Sequence, residues 1–369
     1  MLTEDARAEL VKQGYRIVGS HSAVKTCGWT KNMIRGIGGC YKLKFYGIMS
    51  NQCMQMTTSI SCANRCTFCW RGYKAPVSKE WNWGVDDPDM ILKDSIEEHH
   101  DLLVGFKGSK KANRPLYDKS REVRHVALSL TGEPIIYPRI NELIQKFHES
   151  KISTFLVTNA QYPEQIKNLA PVTQLYVSLD APNKPLLKKV DVPLFSDYWE
   201  RLNQSLDYLA EKKQRTCIRL TCVKELNMIE PENYAKLIMK GNPDFIEVKA
   251  YMHVGASKER LERKNMPLHE EVVAFSKELM KYLSEYEIVS EHIPSRVLMM
   301  AKKSFKKNGK WFTWIDFEKF FTLQGNFTTE EYLKQTPSVG LSEKSLSVTP
   351  FVDEKTNEME FWEDVQLKV

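Results

Sequence analysis

Met56-Thr-Thr-Ser-Ile60-Ser-Cys62-Ala-Asn-Arg-Cys66-Thr-Phe-Cys69 decides how the rest of the chain is read. A short β-rich run ends in a loop that places three cysteines at the spacing CxxxCxxC. Three thiolates on one loop can hold three irons of a [4Fe–4S] cluster and leave the fourth iron without a protein ligand. An iron left open can chelate a small molecule. Zinc is the competing reading, but structural zinc takes four ligands, commonly from CxxC pairs, and no fourth Cys or His sits nearby. Of the eight cysteines, six fall between Cys27 and Cys69. In a reducing compartment such clustering points to metal or redox chemistry rather than to disulfides.

From this loop outward, short β-rich runs alternate with amphipathic stretches. Strands are expected at Met56–Ile60, His125–Leu130, Thr154–Val157, Leu175–Leu179, Cys217–Val223, Phe245–Ala250 and Glu287–Ser290. Helices are expected near Pro88–Leu103, Pro138–Glu149, Pro163–Leu169, Tyr198–Lys212, Pro231–Met239 and Leu268–Leu283. Proline opens four of these six, the position where its missing N–H costs nothing. Repeated βα units imply a parallel sheet covered by helices, with function at the C-terminal strand ends. Six or seven units fall short of a closed eight-fold barrel. The expected fold is therefore α/β, a partial (βα)6-type TIM barrel over residues 55–300, with extensions at 1–54 and 301–369. Cys217 and Cys222 stand an odd number of residues apart on one strand, so they face opposite sides and read as core. The final thirty residues read as a loosely held acidic tail.

The 369 residues, 42% hydrophobic and 27% charged, are those of an ordinary globular protein that needs no disulfide scaffold. No apolar run is long enough to span a membrane, and the start carries acids where a signal peptide carries bases. Thr3 is expected to cap a first helix that Gly14 stops. A cytoplasmic location is expected. The net charge of +6 is unevenly spread. Lys110, Lys111 and Arg114 lie in a basic insertion, and Lys302, Lys303, Lys306 and Lys307 form a second block that leads into Trp311 and Trp314. Basic blocks beside aromatics point to nucleic acid; two solvated faces and a packed tryptophan pair are the plainer reading.

The CxxxCxxC loop, with Phe68 before its third cysteine, resembles the radical S-adenosylmethionine enzymes. The resemblance implies that Cys62, Cys66 and Cys69 hold a cluster whose open iron binds S-adenosylmethionine, which is then cleaved to a 5′-deoxyadenosyl radical. Ser129-Leu-Thr-Gly-Glu133-Pro134 resembles the superfamily's GGE motif, with Thr131 in place of its first glycine. Thr131 and Glu133 would then meet the methionine ammonium, and Asn159, Ser178 and Asp180 would contact the methionine or the ribose.

Cys27, Cys40 and Cys53, spaced Cx12Cx12C, form a second triple. Alone, they read as three buried cysteines. With Gly39-Cys-Tyr-Lys42, Phe45-Tyr-Gly-Ile48, Gly241-Asn-Pro-Asp-Phe-Ile-Glu-Val-Lys249 and Trp311-Phe-Thr-Trp-Ile-Asp-Phe317, the chain is similar to the 4-demethylwyosine synthases over about residues 25–335. This implies a lyase of wybutosine biosynthesis that acts on N1-methylguanosine beside the anticodon of tRNA(Phe), with pyruvate as co-substrate. It implies a second [4Fe–4S] cluster on Cys27, Cys40 and Cys53. Pyruvate would chelate that cluster's open iron or form a Schiff base with Lys42. The resemblance is to the shorter archaeal form, which implies a separate flavodoxin or ferredoxin as electron donor, and a monomer is expected. The alternatives are a radical enzyme acting on another RNA base or a peptide, and a non-catalytic iron–sulfur RNA-binding protein.

Overall fold

A computed structural model describes residues 2–72, 74–323, 325, 327–341, 348–352 and 359–363. Its centre is a ten-stranded sheet. The strands are β1 (Arg16–Val18), β2 (Ser22–Val24), β3 (Cys53–Thr57), β4 (His125–Leu128), β5 (Ser153–Thr158), β6 (Gln174–Ser178), β7 (Arg215–Cys222), β8 (Phe245–Ala250), β9 (Tyr286–His292) and β10 (Val297–Lys302). β3 to β8 run parallel in sequence order, the six-unit barrel the rhythm implied. β1 and β2 extend one edge antiparallel, and β10 pairs antiparallel between β8 and β9 at the other.

The helices are α1 (Glu4–Lys12), α2 (Gly28–Ile34), α3 (Tyr41–Tyr46), α4 (Pro88–Leu103), α5 (Arg114–Lys119), α6 (Ile140–Glu149), α7 (Pro163–Asn168), α8 (Lys184–Asp191), α9 (Tyr198–Ala210), α10 (Pro231–Gly241), α11 (His269–Met280) and α12 (Phe317–Phe320). Thr3 caps α1 by accepting from the Ala6 N–H at 3.2 Å. Proline opens α4, α7 and α10 as expected, whereas α6 begins at Ile140, two residues past Pro138. There the chain turns through Tyr137 and Arg139 before helical hydrogen bonding starts.

Two apolar layers result. The outer face of the sheet packs under the helices through residues such as Leu128, Leu143, Leu156, Ile218 and Val248. The inner face is filled by Phe155, Tyr176, Cys217, Phe245 and Met299, together with Phe45 and Tyr46 of α3. Cys217 lies inside and Cys222 outside, as their odd spacing requires.

Three expectations need correcting. Cys53 opens β3, so a boundary at residue 54 would cut the sheet itself. Residues 301–340 belong to the body of the fold. Tyr332 donates its hydroxyl to the Thr173 carbonyl at 2.9 Å, and the fully buried Arg215 donates to the Thr313 carbonyl at 2.7 Å. This segment closes the end of the barrel where the strands begin. In the expected acidic tail, Val348–Val352 pairs antiparallel with Met359–Glu363; residues 342–347, 353–358 and 364–369 lie outside the described ones.

Candidate active site

The CxxxCxxC loop leaves the C-terminal end of β3 and is pinned on three sides. Arg65 and Thr67 donate their N–H groups to the Asp191 and Val190 carbonyls at the end of α8, at 3.0 and 2.8 Å. Arg260 donates to the Thr67 carbonyl at 2.9 Å and to the Cys69 carbonyl. Gly132, at φ +67°, lets the β4 turn approach so closely that a Cβ there would lie 1.9 Å from the Ser59 carbonyl oxygen. The Glu133 N–H, next in the chain, donates to the Ser61 carbonyl at 2.8 Å. Arg260 and Asp191 were invisible to sequence reading because each meets the loop from more than a hundred residues away.

The expected cofactor residues divide into two groups. Glu133, Thr131 and Asn159 converge on this loop. Glu133 is 1% exposed, and one of its oxygens accepts from the Asn159 N–H at 2.8 Å. Among the described residues its Oε1 has no hydrogen-bond donor, and burial pushes its carboxyl up to about 7. The Asn159 amide donates to the Cys62 sulfur at 3.4 Å. Thr131 lines a cavity of about 780 Å³ with Tyr15, Ile60 and Arg71, beneath α1. Asp180 is used otherwise: its Oδ1 accepts from the Thr221 N–H at 3.0 Å, joining β6 to β7. Ser178 ends β6 half-buried.

Cys27, Cys40 and Cys53, far apart in sequence, line one cavity of about 350 Å³ inside the barrel. Cys27 and Cys40 immediately precede α2 and α3, and Cys53 opens β3. Lys42 enters the same cavity from α3, as do Arg219 from β7 and Lys249 from β8. The Lys42 ammonium lies 4.8 Å from the centroid of the Tyr176 ring. Arg219 and Lys249 were missed by sequence reading; the available signal was a charged residue at an inward position of an otherwise apolar strand.

Both triples consist of free cysteines. Burial pushes the Cys62 thiol up to about 11 and those of Cys40 and Cys53 to about 12. Such thiols stay protonated until a cation takes the proton's place. Among the described residues no three His, Cys, Asp or Glu side chains gather closely enough to hold a single metal ion. A cube attaches each thiolate to a different iron, so three thiolates set around one space suit it. The donor sets fit clusters. Glu133, Thr131 and Asn159, with an unmatched buried oxygen beside Cys62, fit a cationic methionine group.

The basic blocks lie elsewhere. Lys110, Lys111 and Arg114 are exposed on the connection from α4 to the start of β4, where Arg114 pairs with Asp118 at 3.1 Å. Lys302 ends β10 and Lys303, Lys306 and Lys307 follow it, where β10 lies beside the start of β8. That is the barrel end opposite the CxxxCxxC loop. Lys302 donates to the Asn242 carbonyl at 2.8 Å, Lys306 pairs with Glu287 at 3.0 Å and Lys307 pairs with Glu330. Trp314 is buried, its indole donating to the Lys44 carbonyl at 3.0 Å, so packing is its role.

Comparison with known proteins agrees with this geometry. The radical SAM superfamily model matches residues 56–238, and one described as wyosine base formation matches residues 240–302. The human S-adenosyl-L-methionine-dependent tRNA 4-demethylwyosine synthase TYW1 is 50% identical over 91% of this chain and 47% of its own length. The Arabidopsis thaliana tRNA 4-demethylwyosine synthase is 49% identical over 92% of this chain and 53% of its own. The chain thus spans about half the length of these curated relatives. A structure of TYW1 with a lysine–pyruvate adduct bound superposes with a TM-score of 0.75 at 35% identity, over 84% of this chain and 99% of that one. Archaeal TYW1 superposes with a TM-score of 0.68 at 32% identity, over the same shares.

Proposed function

The chain belongs to the radical S-adenosylmethionine tRNA 4-demethylwyosine synthase family, and from that premise we propose that it builds the 4-demethylwyosine tricycle on N1-methylguanosine of tRNA(Phe), with pyruvate as carbon donor. The observation that carries this reading is a lysine, Lys42, facing a cavity lined by a second cysteine triple inside a barrel that already bears the first.

Cys62, Cys66 and Cys69 would hold one cluster, and Cys27, Cys40 and Cys53 a second. Glu133, Thr131 and Asn159 would hold S-adenosylmethionine beside the first, with the buried Glu133 oxygen accepting from the methionine ammonium. Bound there, cluster and cofactor supply a radical able to remove hydrogen from the N1-methyl group. Lys42 acts on the co-substrate. Its amine attacks the keto carbon of pyruvate, a C–N bond forms, and the carbonyl oxygen departs as water to leave an imine. The adduct bound in the related TYW1 structure supports imine formation over chelation alone.

Two measurements test the proposal. Reconstituted, reduced protein should convert S-adenosylmethionine to 5′-deoxyadenosine, and methylated tRNA(Phe) with pyruvate should yield the tricycle. Cyanoborohydride should trap pyruvate on the parent protein and not on Lys42→Ala or Lys42→Arg. Deoxyadenosine with no tricycle under any condition would favour another radical enzyme of the same fold. Parent-like trapping in Lys42→Ala would remove Lys42 from the chemistry.

A further inference from the structure

The cavity that holds Lys42 is lined by further cationic side chains that imine chemistry does not require. Three cationic side chains line it, Lys42, Arg219 and Lys249, and no Asp or Glu does. Arg219 stands level with Glu247 on the neighbouring strand, and Lys249 lies level with Thr221. Arg219 and Lys249 are therefore diagonal neighbours on the inner face. The Arg219 guanidinium carbon lies 5.9 Å from the centroid of the Tyr176 ring, the same ring over which Lys42 sits at 4.8 Å.

Among the described residues, the buried carboxylates near Arg219 are already engaged: Asp180, within electrostatic reach of the guanidinium, accepts from the Thr221 N–H at 3.0 Å. Glu247 is fully buried and accepts from the Tyr41 hydroxyl at 3.1 Å and the Tyr46 hydroxyl at 2.9 Å. Lys249 has carbonyl oxygens for company, those of Ala250 at 3.4 Å and Ser295 at 3.3 Å. Burial and the neighbouring Arg219 charge push its ammonium down to about 8. Arg219 and Lys249 are half-buried and line this cavity, where a small anion would meet both.

We propose that Arg219, with Lys249 beside it, binds the carboxylate of the 2-oxoacid whose keto carbon meets Lys42, and so selects an anionic substrate over a neutral one. This rests on the reading of Lys42 as the imine-forming residue. Arg219 is suited to the task because its planar fork donates two parallel hydrogen bonds to a carboxylate.

The experiment is reductive trapping on the cluster-reconstituted protein, read by mass, over a range of pyruvate and, separately, of its neutral amide. The Arg219→Gln protein should need about ten- to a hundredfold more pyruvate for half-maximal trapping, the worth of a charge-assisted hydrogen bond. Its preference for pyruvate over the amide should collapse. Lys249→Met should shift the same ratio in the same direction, and Arg219→Lys should restore part of it. Unchanged pyruvate dependence in both Arg219→Gln and Lys249→Met overturns the inference. An equal loss toward pyruvate and the amide overturns it too, because that marks a disturbed cavity. Lys42→Ala separates the two proposals: if it traps like the parent, the imine reading has failed, whereas if it alone loses trapping, only the carboxylate site has failed.

Discussion

Six cysteines would carry the two proposed clusters, and burial raises the thiols of Cys40, Cys53 and Cys62. A thiol pushed up to about 11 or 12 by an apolar surround remains neutral at ordinary pH, so Cys40, Cys53 and Cys62 would become ligands only as iron displaces the proton. Anaerobically reconstituted protein should therefore hold about eight irons with matching sulfide, four for each cube. Replacing Cys62, Cys66 and Cys69 with alanine should leave about four, and the Cys27, Cys40 and Cys53 triple variant should likewise leave about four. Cys217 and Cys222, which pack in the inner and outer apolar layers, should be replaceable by alanine with no loss of iron. Iron and sulfide analysis reads all four proteins; stoichiometric zinc without sulfide would refute the assignment.

Among the elements, α3 bears the most on the site. All six residues of Tyr41–Tyr46 are buried, two lysines included, because the helix lies inside the barrel rather than on it. The segment after β10 holds it there. Thr313 donates its hydroxyl to the Phe45 carbonyl at 2.8 Å, and the Trp314 indole donates to the Lys44 carbonyl. Gly47 ends the helix at φ +80°, and a Cβ there would lie 2.8 Å from the Trp314 ring. Trp314→Ala removes a large buried side chain and a hydrogen bond at once. It should cost about 3–5 kcal/mol in urea denaturation and also lower pyruvate trapping at Lys42. Trp314→Phe keeps most of the bulk and should cost about 1 kcal/mol for the lost hydrogen bond. A parent-like midpoint for Trp314→Ala would mean that the segment does not support α3.

At the scale of the molecule, RNA docking and acid stability can both be measured. The insertion presents exposed Lys110 and Lys111 beside Arg114, which pairs with Asp118, whereas Lys306 and Lys307 both face carboxylates. Phosphate contacts release counterions, so tRNA affinity should fall steeply with salt. Neutralising Lys110, Lys111 and Arg114 together should flatten that slope by up to about one contact per residue. The Lys302, Lys303, Lys306 and Lys307 set should change it less. Slopes identical to the parent's in both variants would place the RNA on another face. Acid stability rests on buried neutral histidines. Burial holds His99 down at about 4, His148 at about 4 and His125 at about 3, against 6.5 when unfolded. Above pH 6.5 these rings are neutral in both states and cost nothing. As pH falls through 6.5 toward 4, the unfolded chain takes up protons the fold refuses, and stability drops. Denaturation midpoints should decline over that window, and His99→Leu should make the decline shallower; an unchanged slope in His99→Leu would show that His99 is not one of the groups.

The sequence by itself determined the βα rhythm, the six parallel strands, the first cysteine triple and the family. Each of these is a local pattern, a period of apolar residues or a spacing of ligands within one loop, and such patterns survive without knowledge of distant contacts. Strand β8 was legible to its last residue, and β3 was displaced only because its apolar alternation continues into the loop. The fate of Asp180 was not legible, since a backbone N–H from Thr221 claims its carboxylate. Nor was the support that Arg260 gives the cluster loop from 191 residues beyond Cys69. The convergence of Cys27, Cys40 and Cys53 with Lys42, Arg219 and Lys249 was decided by the tertiary structure, which threads α3 into the barrel and curves β3, β7 and β8 around it. Spacing along a chain fixes which side chains a loop can gather. Only closure of the sheet fixes which strands face one another across a cavity, and with them the charges that meet there.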